Sequence, residues 1–424
     1  MTAGPPVAGP RRAALAFIFV TVVLDVVAFG VAIPVYPKLI EEFLGGDTPR
    51  AARLLGVFAT VWALMQFLCS PILGALSDRF GRRPVILYSL AGLGLDYLLM
   101  AVAPSLGWLF VGRILSGMTA ASWTSAGAYI ADVTKPGDRA AGFGMIGAAW
   151  GLGFVLGPAL GGLLGGIDLR LPFWVAGGLA LVNALYGVFV LPESLPPERR
   201  RRFSLGSANP IGSLALLRAR TGMVGLAAVF FLHYVAHNVL PSVFVLYAGH
   251  RYGWDARAVG LSLTVIGVAT MVVQGGLVKP IVARLGERRA LLVGLGCEIG
   301  SYALFGLAAT AAVFWVGVVI GAFAGLFGPS IQALMSQRVD PSEQGQLQGT
   351  NSALMGVAGL LGPGIFTFVF AQFIRSDATP QVPGAPFLVA SGIVVIALLI
   401  ALRSIAGAEP KLAVAGGSDQ PPVS

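Results

Sequence analysis

The chain has 424 residues, of which 56% are hydrophobic and 11% charged, with a mean hydropathy of +0.83 and a formal net charge of +9. A soluble domain carries about 25% charged residues, and its core has no room for this much apolar surface, so a soluble globular fold is excluded. On so apolar a chain the positive charge points to basic loops beside a membrane rather than to nucleic acid.

The opening MTAGPPVAGPRR (1–12) is rich in Pro and Gly and is expected to be disordered. No small-residue cleavage site follows a short apolar core, so the first apolar run is expected to stay as a span. Apolar runs then recur at 13–36, 53–75, 85–103, 107–130, 140–165, 171–191, 222–248, 258–281, 290–309, 312–335, 345–371 and 386–405. Each is long enough to cross the hydrocarbon core. Only helices and closed barrels satisfy backbone groups in lipid, and strand-like alternation is absent, so twelve transmembrane helices are predicted. Cys69 and Cys297 fall inside spans and read as buried thiols, with no pattern supporting a disulfide.

The longest connection, PESLPPERRRRFSLGSANP (192–210, continuing to Arg220), separates six spans from six. The expected organisation is a disordered N-terminus at 1–12, a six-helix half at 13–191, a cytoplasmic linker at 192–221, a second six-helix half at 222–405 and a disordered tail at 406–424. Most of the 28 Lys and Arg fall on one side of this arrangement, including Arg79, Arg82, Arg83, Arg199 to Arg202, Arg284, Arg288 and Arg289. The positive-inside rule then places both termini in the cytoplasm. One constant offset of 205 residues aligns Gly81 with Gly286, Tyr97 with Tyr302, Pro136 with Pro341, Gly144 with Gly349, and Gly157-Pro158 with Gly362-Pro363. A single ungapped register argues for two homologous halves, an architecture of secondary transporters with the substrate site between the halves near the midplane.

GALSDRFGRRP (74–84) joins the second and third spans. Its glycines permit a tight turn, Asp78 can face the positive end of a helix, and Arg79, Arg82 and Arg83 suit an anionic membrane surface. Gly74, Asp78, Arg79, Gly81, Arg82 and Arg83 at this spacing resemble the loop motif of the major facilitator superfamily. That resemblance implies a conformational lock centred on Asp78. GAAWGLGFVLGPALGGLLGG (147–166) is read either as close helix packing or, through Gly153, Gly157, Pro158, Gly161 and Gly162, as a match to the antiporter motif of drug exporters in that superfamily. Arg113 lies inside the fourth span, where an Arg is a functional candidate by default and an ion pair that only fixes structure is the alternative. It resembles an Arg of the superfamily tied to proton transfer and to Asp78.

Asp25, Asp96 and Glu298 are the acids placed well inside spans. A carboxylate there is costly to insert, and burial against a nearby cation lets it exchange a proton, so proton coupling is the functional reading. A hydrogen-bonded acid that fixes helix packing is the alternative. LDVVAFGVAIPVYP, LSDRFGRRPVILYSLAGLGLDY, AYIADVTKPGDRAAGFG and the stretches from WDARAVGLSL to VDPSEQGQLQG together resemble the tetracycline/proton antiporters of the drug:proton antiporter group. The resemblance covers nearly the whole chain and implies transport roles for Asp25, Asp96 and Glu298. The sequence departs from that group in two places. Glu298 stands where Asp is usual, and Thr270 stands where an eighth-span His is common, while Gln274 matches.

His233 and His237 lie four apart on one helix face beside Asn238. Two His without a carboxylate make a weak metal site, so polar lining of a cavity is the favoured reading and no bound metal is expected. Gln66, Gln332 and Asn351 are further cavity candidates, each equally able to bridge helices by a hydrogen bond. No phosphate-binding G-x-x-x-x-G-K-[ST] motif occurs, so ATP is not expected to drive it directly. No enzymatic activity and no cofactor are expected, with the proton gradient as driving force. The expectation is a monomeric, all-α membrane protein that exchanges protons for an outward-moving amphipathic small molecule within the lipid bilayer. A proton-coupled importer of a metabolite, or a transporter-like sensor or lipid-handling protein, remains open.

Overall fold

The computed structural model of the protein describes residues 10–120, 122–134, 139–200, 222–340 and 343–406. Of the expected disordered segments at 1–12 and 406–424, residues 1–9 and 407–424 lie outside the described residues, as does 201–221 of the expected linker at 192–221, whereas 10–12 and Ala406 are helical. In the first half, α1 (Pro10–Ala32) and α2 (Tyr36–Phe43) build the first span, interrupted at Pro34, whose nitrogen has no hydrogen to donate. Then come α3 (Thr48–Phe80), α4 (Arg82–Val102), α5 (Leu106–Thr119), α6 (Ser122–Val133), α7 (Arg139–Gly165) and α8 (Leu171–Val190). In the second half, α9 (Met223–His237) and α10 (Val239–Tyr252) meet at Asn238. α11 (Ala256–Val272) runs through a π turn at Val273–Leu277 into α12 (Val278–Leu307). α13 (Ala311–Ala322), α14 (Phe327–Ser336), α15 (Gln344–Phe373) and α16 (Ala385–Ala406) complete the bundle.

Ten helical stretches among the described residues are long and apolar enough to cross a membrane. One of them, Ala256–Leu307, has 52 residues and turns back at Gly286, so it carries both the eighth and ninth expected spans. The fourth expected span, 107–130, falls on α5 and α6 as two shorter helices. No strand occurs among the described residues. Large apolar side chains such as Leu68, Leu95, Val182, Phe189, Val316 and Leu399 are exposed, the surface expected of helices that face lipid.

The repeat is visible in the backbone. Gly81 (φ 110°) and Gly286 (φ 74°) occupy a region that side chains with a Cβ rarely adopt, and both form the reversal between the second and third helices of their halves. They sit at the same 205-residue offset. The most extensive contacts between the halves are α7 with α11 and α3 with α15, and these pairs are equivalent under the same offset, while α10 also touches α2 and α3.

The halves meet unevenly. Apolar residues of the first half from Val27 to Phe58, Tyr97 to Leu109 and Phe173 to Ala180 merge with the second half into one buried cluster. Toward the 74–83 loop, Ile18, Val22, Ile86, Leu90 and Tyr129 form a separate cluster, and Val273, Val278, Ala322 and Leu326 another. Glycines report the same gradient. A Cβ at Gly162 would stand 2.7 Å from Gly260 Cα, whereas a Cβ at Gly74, Gly147, Gly275 or Gly276 would meet nothing within 4 Å. The halves are therefore packed together at one end and stand apart at the end that carries the 74–83 loop.

Candidate functional site: a loop cluster and two buried acid clusters

At the loop, Asp78 pairs with Arg82 one turn on, Oδ1 to Nη1 at 2.6 Å. Arg82 also reaches Asp132 through Nε at 3.1 Å. The positive N-terminus of α4 is occupied by Glu193, which accepts from Arg82 N at 2.8 Å and from Arg83 N at 3.3 Å. At the N-terminus of α4 that place is therefore taken by Glu193 and not by Asp78. Glu193 lies just beyond α8 and reaches that position because Gly81 leaves room beside it. A Cβ at Gly81 would lie 2.7 Å from the Glu193 Cδ. Arg79 stacks on Phe80, and Arg83 donates to the Val188 carbonyl.

Arg113 is not part of that cluster, so its expected tie to Asp78 is corrected. Seven residues into α5, it projects toward the packed end of the bundle. There its guanidinium lies 3.4 Å from Asp96 Oδ2 and 4.6 Å from the Tyr36 ring centre. A cation against a carboxylate and an aromatic face, with the Asp96 side chain at 0% exposure, is a desolvated charge cluster. Asp25 is buried at 4% exposure on α1, and Tyr97 lies within electrostatic reach of Asp25, Asp96 and Arg113. Asn183 on α8 donates to the Thr21 carbonyl at 2.8 Å, one turn before Asp25, and fixes that part of α1. The three acids therefore divide. Asp25 and Asp96 share the first half with a fixed cation, and Glu298 stands elsewhere.

Glu298, 2% exposed on α12, accepts a hydrogen bond from His233 Nδ1 of α9 at 2.7 Å. His233 is stacked on Phe327 with ring centres 3.6 Å apart and on His237 at 5.7 Å. His237 is exposed, and its nitrogen, a His233 nitrogen and a Glu298 oxygen all lie within 4.8 Å of one another. Tyr302, one turn on along α12, flanks the same carboxylate. The premise on which a metal was set aside, two His with no acid, does not hold in three dimensions.

The remaining polar candidates separate in the same way. Asn351 donates to Gln332 Oε1 at 2.8 Å, the helix-bridging alternative of the two readings given for each. Asn238 donates to the Tyr234 carbonyl at 2.7 Å and packs against Gly362. Gln274 lies in the π turn, exposed, and Thr270 and Gln66 are half-buried. The GP-containing motif of α7 lies in helix contacts on two faces. Gly153, Gly157 and Gly161 abut Val26, Gly30 and Val31 of α1, while Pro158 and Gly162 abut Gly260 of α11. Close packing is thus present at every motif glycine.

Sequence reasoning missed Glu193, Asp132, Tyr36, Tyr97 and Phe327. Glu193 is the middle residue of the PES that opens the 192–221 linker, and beside that basic segment it reads as loop. The aromatics carry no local signal, because their role arises only when two distant helices meet.

A helical bundle of two six-helix halves with acids buried between its spans defines a membrane transporter fold of the secondary class. The family model described as Major Facilitator Superfamily matches residues 18–363 and 226–423, and the chain belongs to this superfamily. It is 41% identical over 358 residues to the tetracycline resistance protein, class C, of Escherichia coli, covering 84% of this chain and 90% of that one. It is 37% identical over 353 residues to the class G tetracycline resistance protein of Vibrio anguillarum, covering 82% and 88%. Among solved structures it is similar in fold to the human organic anion transporter MFSD10 (TETRAN), with a TM-score of 0.69 and 24% identity, covering 93% of this chain and 100% of that one.

Proposed function

We propose that the protein exports a tetracycline-type amphipathic compound across the bacterial inner membrane in exchange for protons, by alternating access. The observation that carries the reading is the set of three carboxylates, Asp25, Asp96 and Glu298, at 4%, 1% and 2% exposure inside spans. Idle charges in lipid are costly, and each of these can hold or release a proton as its surroundings change. With the 74–83 loop on the cytoplasmic side, the arrangement open at the loop end is the inward-open state. Rocking of the halves about the α7–α11 and α3–α15 pairs would then close the loop end, where Asp78, Arg82, Asp132 and Glu193 lie. The similarity to tetracycline resistance proteins supports the substrate class.

The test is drug susceptibility of cells lacking their own efflux pumps, with tetracycline in the panel, together with drug uptake by everted vesicles. Expression should raise tetracycline tolerance, and Glu298→Gln should insert normally but lose uptake driven by a pH gradient. Equal susceptibility with and without the protein would sink the exporter reading. Undiminished uptake by Glu298→Gln would remove Glu298 from the mechanism.

A further inference from the structure

We infer that His233, His237 and Glu298 form a binding site for a divalent transition-metal ion of the zinc class, in the second half and accessible from the His237 side. The site stands or falls independently of which compound is exported. This is the one group of three His, Cys, Asp or Glu residues among the described residues whose ligand atoms converge within 4.8 Å. The donors come from two helices and are of two kinds, two imidazoles and one carboxylate. That set suits zinc and its neighbours, whereas magnesium and calcium prefer oxygen alone.

The spacing is close to what coordination needs. At about 2.0 Å from a tetrahedral ion, neighbouring ligand atoms stand about 3.3 Å apart. The 2.7 Å contact between His233 Nδ1 and Glu298 Oε2 must open slightly, and the other separations, all within 4.8 Å, must close by about 1.5 Å at most. Side-chain rotation covers both movements, since His237 is exposed and free to turn, and Glu298 has three rotatable bonds. His233 is the fixed point, its ring plane held against Phe327. Glu298 Oε1 is buried without a hydrogen-bond partner, a cost that a metal ligand bond would relieve. Three protein ligands leave one position open, facing the side on which His237 is exposed, where water or a donor atom of a transported molecule would complete the shell.

A bland alternative is that His233 merely satisfies Glu298. It accounts for one imidazole and leaves the second, four residues on and stacked upon the first, without a role.

The experiment uses the full-length protein with any affinity tag removed, in lipid nanodiscs, titrated with Zn²⁺ against a chromophoric chelator. The chain has three histidines, so His250→Ala is an internal control outside the site. Wild type and His250→Ala should each bind one equivalent, and excess Mg²⁺ should not displace it. Loss of outer-shell partners alone costs 10–100-fold in affinity, so His237→Ala and Glu298→Gln should weaken binding by roughly tenfold or more. His237 is exposed, so its replacement leaves the packed core intact. As a second readout, Zn²⁺ should raise the melting temperature of wild type and not that of His237→Ala. No stoichiometric binding by wild type, or binding unchanged in His237→Ala and Glu298→Gln, would overturn the assignment and leave an adventitious ion only.

Discussion

Gly162→Ala tests whether the two halves are poised by their glycine contact. In the structure the added Cβ would stand 2.7 Å from Gly260 Cα and 2.8 Å from the Ala256 carbonyl oxygen, where ordinary contact begins near 3.4 Å. Both obstacles are backbone, so no side chain can turn aside, and α7 and α11 must part by about 0.7 Å or strain locally. Overpacking of this kind costs about 1–3 kcal/mol. The cost falls on the state in which these helix ends touch and disappears in a state where they separate. The ratio of loop-open to loop-closed molecules should then fall about 5- to 150-fold. Spin labels at Ile72 on α3 and Gln348 on α15, in a background with Cys69 and Cys297 replaced by Ser, report the distance across the loop end. Gly162→Ala should shift that distance distribution toward the shorter population. Gly147→Ala, on the same helix with nothing within 4 Å of the added methyl, should not. A folded Gly162→Ala protein whose distribution matches wild type would refute both the energetic argument and the assignment of this contact to one state.

Arg113→Ala leaves the Asp96 carboxyl buried without its cation and should destabilise the purified protein by about 3–5 kcal/mol, whereas Asp96→Asn/Arg113→Gln should cost less than the sum of its parts. Thermal melting of Arg113→Ala, of the double variant and of its two single components, Asp96→Asn and Arg113→Gln, checks this, and additive losses in the double would show that the pair is not coupled. Glu193→Ala removes the acceptor for two backbone N–H groups at the start of α4 and should cost about 0.5–2 kcal/mol, read as a lower melting temperature. Gln332→Ala strands the buried Asn351 amide and should cost about 1–3 kcal/mol, with Gln332→Leu/Asn351→Leu recovering much of it.

The helices were legible because lipid imposes a strong rule. A chain that must satisfy every backbone group within its own helix betrays each span by length and composition alone. The reversals at Gly81 and Gly286 were legible for a similar reason, since a backbone angle open chiefly to glycine leaves a residue-level mark. The partners of the buried charges were not legible. Asp78, Asp132 and Glu193 come from three separate helix ends, and any of them could have taken the α4 N-terminus. Which one does so depends on where α8 ends, a tertiary fact. The same limit hid Glu298 from His233, 65 positions apart in the chain.

The repeat itself shows how the chemistry was distributed. Under the 205-residue offset the scaffold coincides, with Gly81 on Gly286 and Tyr97 on Tyr302, yet the charges do not. Asp96 falls on Ser301, Glu298 on Leu93, Arg113 on Val318 and His233 on Ala28. Each half still places one acid on its third helix, displaced by about one turn and beside the shared tyrosine. The counter-groups differ in kind. A guanidinium keeps its charge at any pH the protein meets, so Asp96 faces a permanent cation. Glu298 faces an imidazole instead, a group that also serves as a metal ligand. Two halves with one backbone plan thus carry unlike polar clusters, a carboxylate beside a guanidinium in one and a carboxylate beside two imidazoles in the other.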